Sequence, residues 1–238
     1  MKISLMTAHF VNNNLKHNIN EMVKGMRLAK QHEAKLVCFG EAFLQGFDSL
    51  TWIYEHDREV AISTDSDVFQ ILIDLSSDIQ IDLMFGFLER DGEKLFSSCA
   101  LVGDGGLLHL YRRISKGWKE YDRADFHYCE GGIPQPFCYR GKQCMIAICG
   151  DLWEYPSEFA RGEDVLFWPV FINYPIAEWK NGVENEYAQQ AACVCKEVLL
   201  VDSLGDEKNV FGGCCRFSHG CTVQSLETGE EGMLTVEI

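Results

Sequence analysis

Apolar strand-like runs alternate with amphipathic stretches along this chain, and that alternation restricts the fold more than any other property of the sequence. Residues 2–10 alternate like a strand. Residues 18–32 carry Ile19, Met22, Val23, Met26 and Ala29 at helical spacing. Residues 35–39 form a short apolar run that reads as a buried strand. A second helix is expected over 67–77, with Val68, Ile71, Leu72 and Leu75 on one face. Strands are expected at 81–89, 95–102 and 107–113, joined by glycine-containing turns. Further strands are expected at 143–149, 165–171 and 198–203, with a helix at 184–196. The last strands are expected at 220–225 and 232–238, joined through Glu227-Thr228-Gly229. Strands alternating with helices argue for an α/β domain, while consecutive hairpins argue for mixed sheets. Ten or more strands exceed what one twisted open sheet holds comfortably, so two packed sheets are expected. No linker or short-period repeat interrupts the pattern, so residues 1–238 are expected to form one domain.

Charge and cysteine usage narrow the function classes. A formal net charge of −15 lacks the basic footprint that nucleic acid or an anionic membrane requires, so neither is an expected partner. No apolar stretch is long enough to span a bilayer. The first ten residues alternate and lack the continuous apolar core of a signal peptide. The eleven cysteines are odd in number, and several sit inside apolar runs. They read as reduced thiols of a cytoplasmic protein. Cys193 and Cys195, and Cys214 and Cys215, lack paired C-x-x-C spacing, so no metal is expected.

Three strand ends carry chemistry. Met145-Ile146-Ala147-Ile148 runs into Cys149-Gly150-Asp151-Leu152-Trp153. A thiol where a strand turns into a loop is positioned for attack, whereas a mid-strand thiol would be packing. Gly150 is expected to allow the sharp turn. Leu36-Val37-Cys38-Phe39-Gly40-Glu41 ends a second apolar run with a carboxylate, which burial would make a competent base. Tyr111-Arg112-Arg113-Ile114-Ser115-Lys116-Gly117-Trp118-Lys119-Glu120 ends a third strand in a basic cluster. An ammonium there could hold an oxyanion.

In order and over nearly the whole chain, these segments resemble the nitrilase, or carbon–nitrogen hydrolase, superfamily. The resemblance rests on the opening strand and Phe39-Gly40-Glu41-Ala42-Phe43. It continues through the hairpin from Gly86-Phe87-Leu88 to Ala100-Leu101-Val102, Ile148-Cys149-Gly150-Asp151-Leu152-Trp153 and Asp164-Val165-Leu166-Phe167-Trp168-Pro169. A late segment from Phe211-Gly212-Gly213 to Ser218-His219-Gly220 completes it. The resemblance implies a four-layer α-β-β-α sandwich that usually dimerises, with a Glu-Lys-Cys site and no metal or organic cofactor. Cys149 would attack the substrate carbon, Glu41 would take the thiol proton, and a lysine with a backbone N–H near Gly150 would hold the oxyanion.

The chain departs from the family pattern where lysine usually follows Tyr-Arg; here stands Arg113. Arginine can donate to an oxyanion but does not easily exchange protons. The lysine role therefore falls to Lys116 or Lys119, with Arg113 a third option. Glu120 is the candidate second glutamate, with Asp122, Asp125 and Glu130 as rivals. Trp153, Tyr155, Phe171, Asn173 and Tyr174 follow strands that should end at the pocket, so they are expected to shape it. The expected substrate is a small linear amide or a carbamoyl amine, cleaved through a thioester. A nitrile-cleaving enzyme, a thiol-based binding protein and a non-catalytic relative acting as a binding module are the alternatives.

Overall fold

Alternation within single strands sorts side chains between two layers. The computed structural model describes residues 1–207 and 209–238. Its first sheet is ordered β12-β1-β2-β3-β4-β5. The strands are β1 (Lys2–Thr7), β2 (Leu36–Cys38), β3 (Asp82–Asp91), β4 (Lys94–Gly103), β5 (Gly106–Arg112) and β12 (Gly232–Glu237). β1, β2 and β3 run parallel, and the flanking pairs are antiparallel. Ile3, Leu5, Leu36, Cys38, Met84, Cys99 and Leu101 belong to the core shared with the second sheet. Their alternates Met6, Val37, Phe39, Leu83, Phe85, Ala100 and Val102 pack instead with two helices. These are α1 (Leu15–Gln31) and α3 (Asp67–Ile79); α2 (Tyr54–Val60) lies between them in sequence. A period of two thus places one side chain in each core. Phe85 is fully buried, so Phe85→Ala should cost about 3–5 kcal/mol.

Caps set the helix ends more than apolar periodicity does. α1 begins three residues before the apolar pattern because the Asn14 side chain accepts the His17 N–H at 3.1 Å. α3 starts behind Ser66, whose hydroxyl accepts the Phe69 N–H at 3.3 Å. It stops at Gln80, which is left-handed at φ 60.

The second sheet is ordered β11-β10-β9-β8-β7-β6. It comprises β6 (Phe137–Tyr139), β7 (Lys142–Ile146), β8 (Val165–Pro169), β9 (Glu197–Leu204), β10 (Phe211–Ser218) and β11 (Cys221–Ser225). β7, β8 and β9 are parallel, which repeats the plan of the first sheet. A short helix α4 (Asp151–Glu154) follows β7, and α5 (Ile176–Glu178) follows β8. One π-helical turn over Trp179–Val183 then leads into α6 (Glu184–Ala192). α6 buries Tyr187, Ala188 and Ala191. The result is the expected sandwich of two mixed sheets between helices. β10 was not anticipated, because Phe211-Gly212-Gly213-Cys214-Cys215 is buried on both faces and shows no alternation. β1 ends at Thr7, three residues short of the pattern; beyond it His9 makes one parallel bridge to Leu204. Among the described residues, no helix is long and apolar enough to cross a membrane.

Candidate active site

The end of β8 joins the two sheets at one point. Pro169 O accepts the Cys149 N–H at 3.0 Å, and the next carbonyl, Val170 O, accepts the Glu41 N–H at 3.2 Å. One strand end therefore fixes the acid of the first sheet beside the thiol of the second. Both turns pass through a left-handed residue that is not glycine: Ala42 at φ 49 and Cys149 at φ 44. Such a conformation costs about 1–3 kcal/mol and persists only where surrounding contacts enforce it.

Two glycines make room for these turns. A Cβ on Gly86 would lie 2.5 Å from Ala42 N and 2.6 Å from Gly40 O, so β3 admits the Glu41 turn only without a side chain there. A Cβ on Gly150 would lie 2.7 Å from Arg113 Nη2. Gly150 itself is right-handed at φ −62. The sharp turn expected of Gly150 therefore belongs to Cys149, and Gly150 serves by leaving space for Arg113.

Arg113 is the cation at this junction. It is 3% exposed, and its Nη1 donates to Glu41 Oε1 at 2.7 Å. Its Nε donates to Ser115 Oγ at 2.7 Å. Ser97 Oγ donates to the same Glu41 oxygen at 3.0 Å. Glu41 Oε2 is buried and has no hydrogen-bond partner. A buried carboxylate between an arginine and an unoccupied direction can accept a proton on that side.

Asp151 ties the cation loop to the thiol loop. Its Oδ1 accepts the Ile114 and Ser115 N–H groups at 3.1 and 2.7 Å. Its Oδ2 accepts the Ile148 N–H at 2.8 Å and the Tyr111 hydroxyl at 2.6 Å. Burial raises its carboxyl above the usual range, and the Tyr111, Ile148 and Ser115 donors and Arg113 oppose that rise. Nothing in sequence spacing singled this residue out beyond its place two positions after the thiol.

Cys149 keeps some surface exposure, while burial of its thiol and the negative charge of Glu41 push the pKa up to about 12. Arg113 pulls in the opposite direction. At pH 7 a thiol with that pKa is ionised to roughly one part in 10⁵, so attack requires a base. Sγ lies 3.7 Å from Phe171 O. The Phe171 ring stacks on Phe47 at 4.0 Å and 2°.

The other expected site residues lie farther out. Lys116 is exposed, with its ammonium 5.5 Å from the Tyr121 ring centroid. Lys119 Nζ donates to Tyr128 O at 2.6 Å and pairs with Glu130 at 2.7 Å. Glu120 pairs with Arg123 at 2.9 Å, and both are more than half exposed. Trp153 packs edge-on against Tyr187 at 5.0 Å. Tyr155 sits at the surface. Asn173 and Tyr174 are exposed. The fold therefore brings Glu41, Arg113 and Cys149 together, and gives both lysines other partners.

The matches to known proteins agree with this architecture. The family model described as carbon-nitrogen hydrolase matches residues 2–196. A nitrilase of Pyrococcus abyssi is 26% identical over 167 residues. That match covers 67% of this chain and only 61% of the nitrilase's length. The NitN amidase of Neterenkonia sp. AN1 superposes with a TM-score of 0.82 at 18% identity, over 100% of this chain and 92% of its own. A variant of the Nesterenkonia sp. AN1 amidase, with the product of Michael addition of acrylamide at its active-site cysteine, gives 0.76 at 18% identity. That match covers 100% of this chain and 93% of the amidase. A glutamine-dependent NAD+ synthetase of Acinetobacter baumannii gives 0.76 at 17% identity, over 98% of this chain and 44% of that one.

Proposed function

The chain belongs to the carbon–nitrogen hydrolase family; on that premise we propose that it is an enzyme that hydrolyses a small linear amide or a carbamoyl amine through Cys149. The observation that carries this reading is the shared brace at Pro169 and Val170, which ties the Cys149 and Glu41 turns together while one Glu41 carboxyl oxygen has no hydrogen-bond partner. Glu41 Oε2 takes the thiol proton as Sγ forms a bond to the substrate carbon. The oxyanion that develops is held by Arg113 N–H donors and a backbone N–H at Gly150. Glu41 then returns the proton to the leaving nitrogen, the C–N bond breaks, and ammonia or an amine departs. Water, deprotonated by Glu41, hydrolyses the thioester and releases the acid and the thiol.

Arg113 fits the oxyanion role and leaves proton transfer to Glu41 alone, because a guanidinium does not give up its proton. Lys116 and Lys119 act in this reading as rim residues, and Phe47, Phe171 and Trp153 shape the entry. The family resemblance further implies a homodimer, which sedimentation at micromolar concentration tests. The non-catalytic alternative draws its support from the same Arg113, which is engaged with the proposed base itself.

Intact-mass spectrometry after incubation with a panel of small amides, carbamoyl amines and nitriles separates these readings. The expected result is a thioester-sized adduct with an amide or carbamoyl compound, lost in Cys149→Ala. Adducts with nitriles alone would assign nitrile chemistry. No adduct across the panel would favour a binding module.

A further inference from the structure

A cavity of about 290 Å³ lies between the α5–α6 segment and strands β9 and β10, rimmed by the β11–β12 connection. None of Glu41, Arg113 and Cys149 lines it. Trp179 and Phe211, with ring centroids 5.8 Å apart, form part of its apolar wall together with Leu200. Its size falls at the lower end of small-molecule pockets, which run roughly 300–1,000 Å³.

The polar part of the lining is incomplete in one direction. Asp202 is 1% exposed. Its Oδ1 accepts the Ser203 N–H at 2.9 Å and the Ile172 N–H at 3.3 Å. Its Oδ2 is buried with no partner, and so is the Thr228 hydroxyl on the same lining. Glu184 and Glu227 add two more carboxylates. Among the described residues, the one cation of the lining, Lys180, pairs with Glu227 at 3.5 Å, and both side chains are more than half exposed. Among the described residues, the interior acid therefore has no cation paired with it. Burial drives its carboxyl well above the usual range, and the negative charge of Glu41 adds to that. A buried carboxyl oxygen without a donor is unfavourable. A guest that brings N–H donors and a positive charge removes that cost, and aromatic faces attract the same kind of guest.

We propose that this cavity binds a small primary alkylammonium compound, with its ammonium on Asp202 Oδ2 and its alkyl chain against Trp179 and Phe211. A bare metal ion would face apolar walls and one interior carboxylate, a poor ligand set for a hard cation. The site is linked to the thiol through one side chain. Asp202 Oδ1 holds the Ile172 N–H, and the preceding carbonyl, Phe171 O, is the group 3.7 Å from Cys149 Sγ. Charging Asp202 strengthens that hydrogen bond and stiffens the loop beside the nucleophile. Binding at this site does not depend on whether Cys149 hydrolyses anything.

Titration of the full chain with n-butylammonium chloride, followed by tryptophan fluorescence and calorimetry, tests the site. Saturable binding is expected, weakened at least about tenfold by Asp202→Asn and severalfold by Thr228→Val. Cys149→Ala should bind as the wild type does, and n-butanol should bind at least about tenfold more weakly. If Asp202→Asn does not fold, as judged by its melting curve, Thr228→Val and Phe211→Leu carry the comparison. No saturable binding up to about 50 mM overturns the proposal. So does affinity unchanged in every cavity variant, loss of binding in Cys149→Ala, or equal binding of potassium or ammonium chloride. The readout needs no turnover, so a failure of the hydrolase reading would leave these isotherms as they are.

Discussion

Glu41 and Asp202 are both 1% exposed, and each commits one carboxyl oxygen to two donors while the other oxygen has no partner. They differ in what the donors are. Glu41 has the Arg113 guanidinium at 2.7 Å, whereas Asp202 has two backbone amides. Burial alone pushes a carboxyl toward the neutral form, as at Asp202. Two carboxyl groups at the same depth thus differ in whether a permanent cation touches them.

The comparison breaks hardest at the base. Glu41→Gln keeps the size of the side chain and removes its ability to take the thiol proton, so kcat should fall by about 10²–10⁴-fold. Ammonia release from the best substrate of the panel measures this; a rate close to wild type would take the base role from Glu41. Arg113→Met should come next. It leaves Glu41 buried without its cation, which costs about 3–5 kcal/mol in urea unfolding. Arg113→Lys keeps the charge and should recover most of that loss; equal stabilities would mean that the pair does not hold the turn.

Asp202 should show the opposite dependence on pH. Its folded pKa is raised above the ordinary 3.8. Its contribution to stability is therefore fully present below 3.8 and is lost as pH rises through the folded value. Asp202→Asn removes that loss, so the variant should gain on the wild type as pH rises from 5 to 8. Urea midpoints at several pH values test the sign, and a constant gap would contradict it. The smallest effect is expected at Tyr111→Phe, which deletes the hydroxyl donor to Asp151. It should cost about 1 kcal/mol of stability and lower kcat several-fold at constant KM, because it loosens the anchor of the cation loop.

Local pattern explains what could be read in advance. Residues 67–79 repeat an apolar face every three to four positions and form α3. Leu36-Val37-Cys38-Phe39 and Met145-Ile146-Ala147-Ile148 are apolar runs that give way within two residues to a charged or reactive one, so Glu41 and Cys149 stood out without any tertiary information. β10 did not stand out, because a strand buried on both faces has no polar alternate to mark its period. Asp202 ends an apolar run much as Glu41 does, yet only the packing of α6 and the β11–β12 connection around it distinguishes its cavity.

The amino-acid sequence by itself determined the strand–helix alternation, the two-sheet plan, and the strand-end positions of the acid and the thiol. Each of these follows from periodicities of two or 3.6 residues, which are local. Tertiary structure decided which cation meets them. Arg113, Lys116 and Lys119 lie within seven residues and carry the same charge, so no spacing rule separates them. Asp151, far away in the chain, captures the amides of Ile114 and Ser115. That capture fixes the chain directly after Arg113, whose guanidinium is turned onto Glu41, while Lys119 settles on Glu130. The outcome is set by long-range hydrogen bonds between strand ends, which exist only once the two sheets have packed.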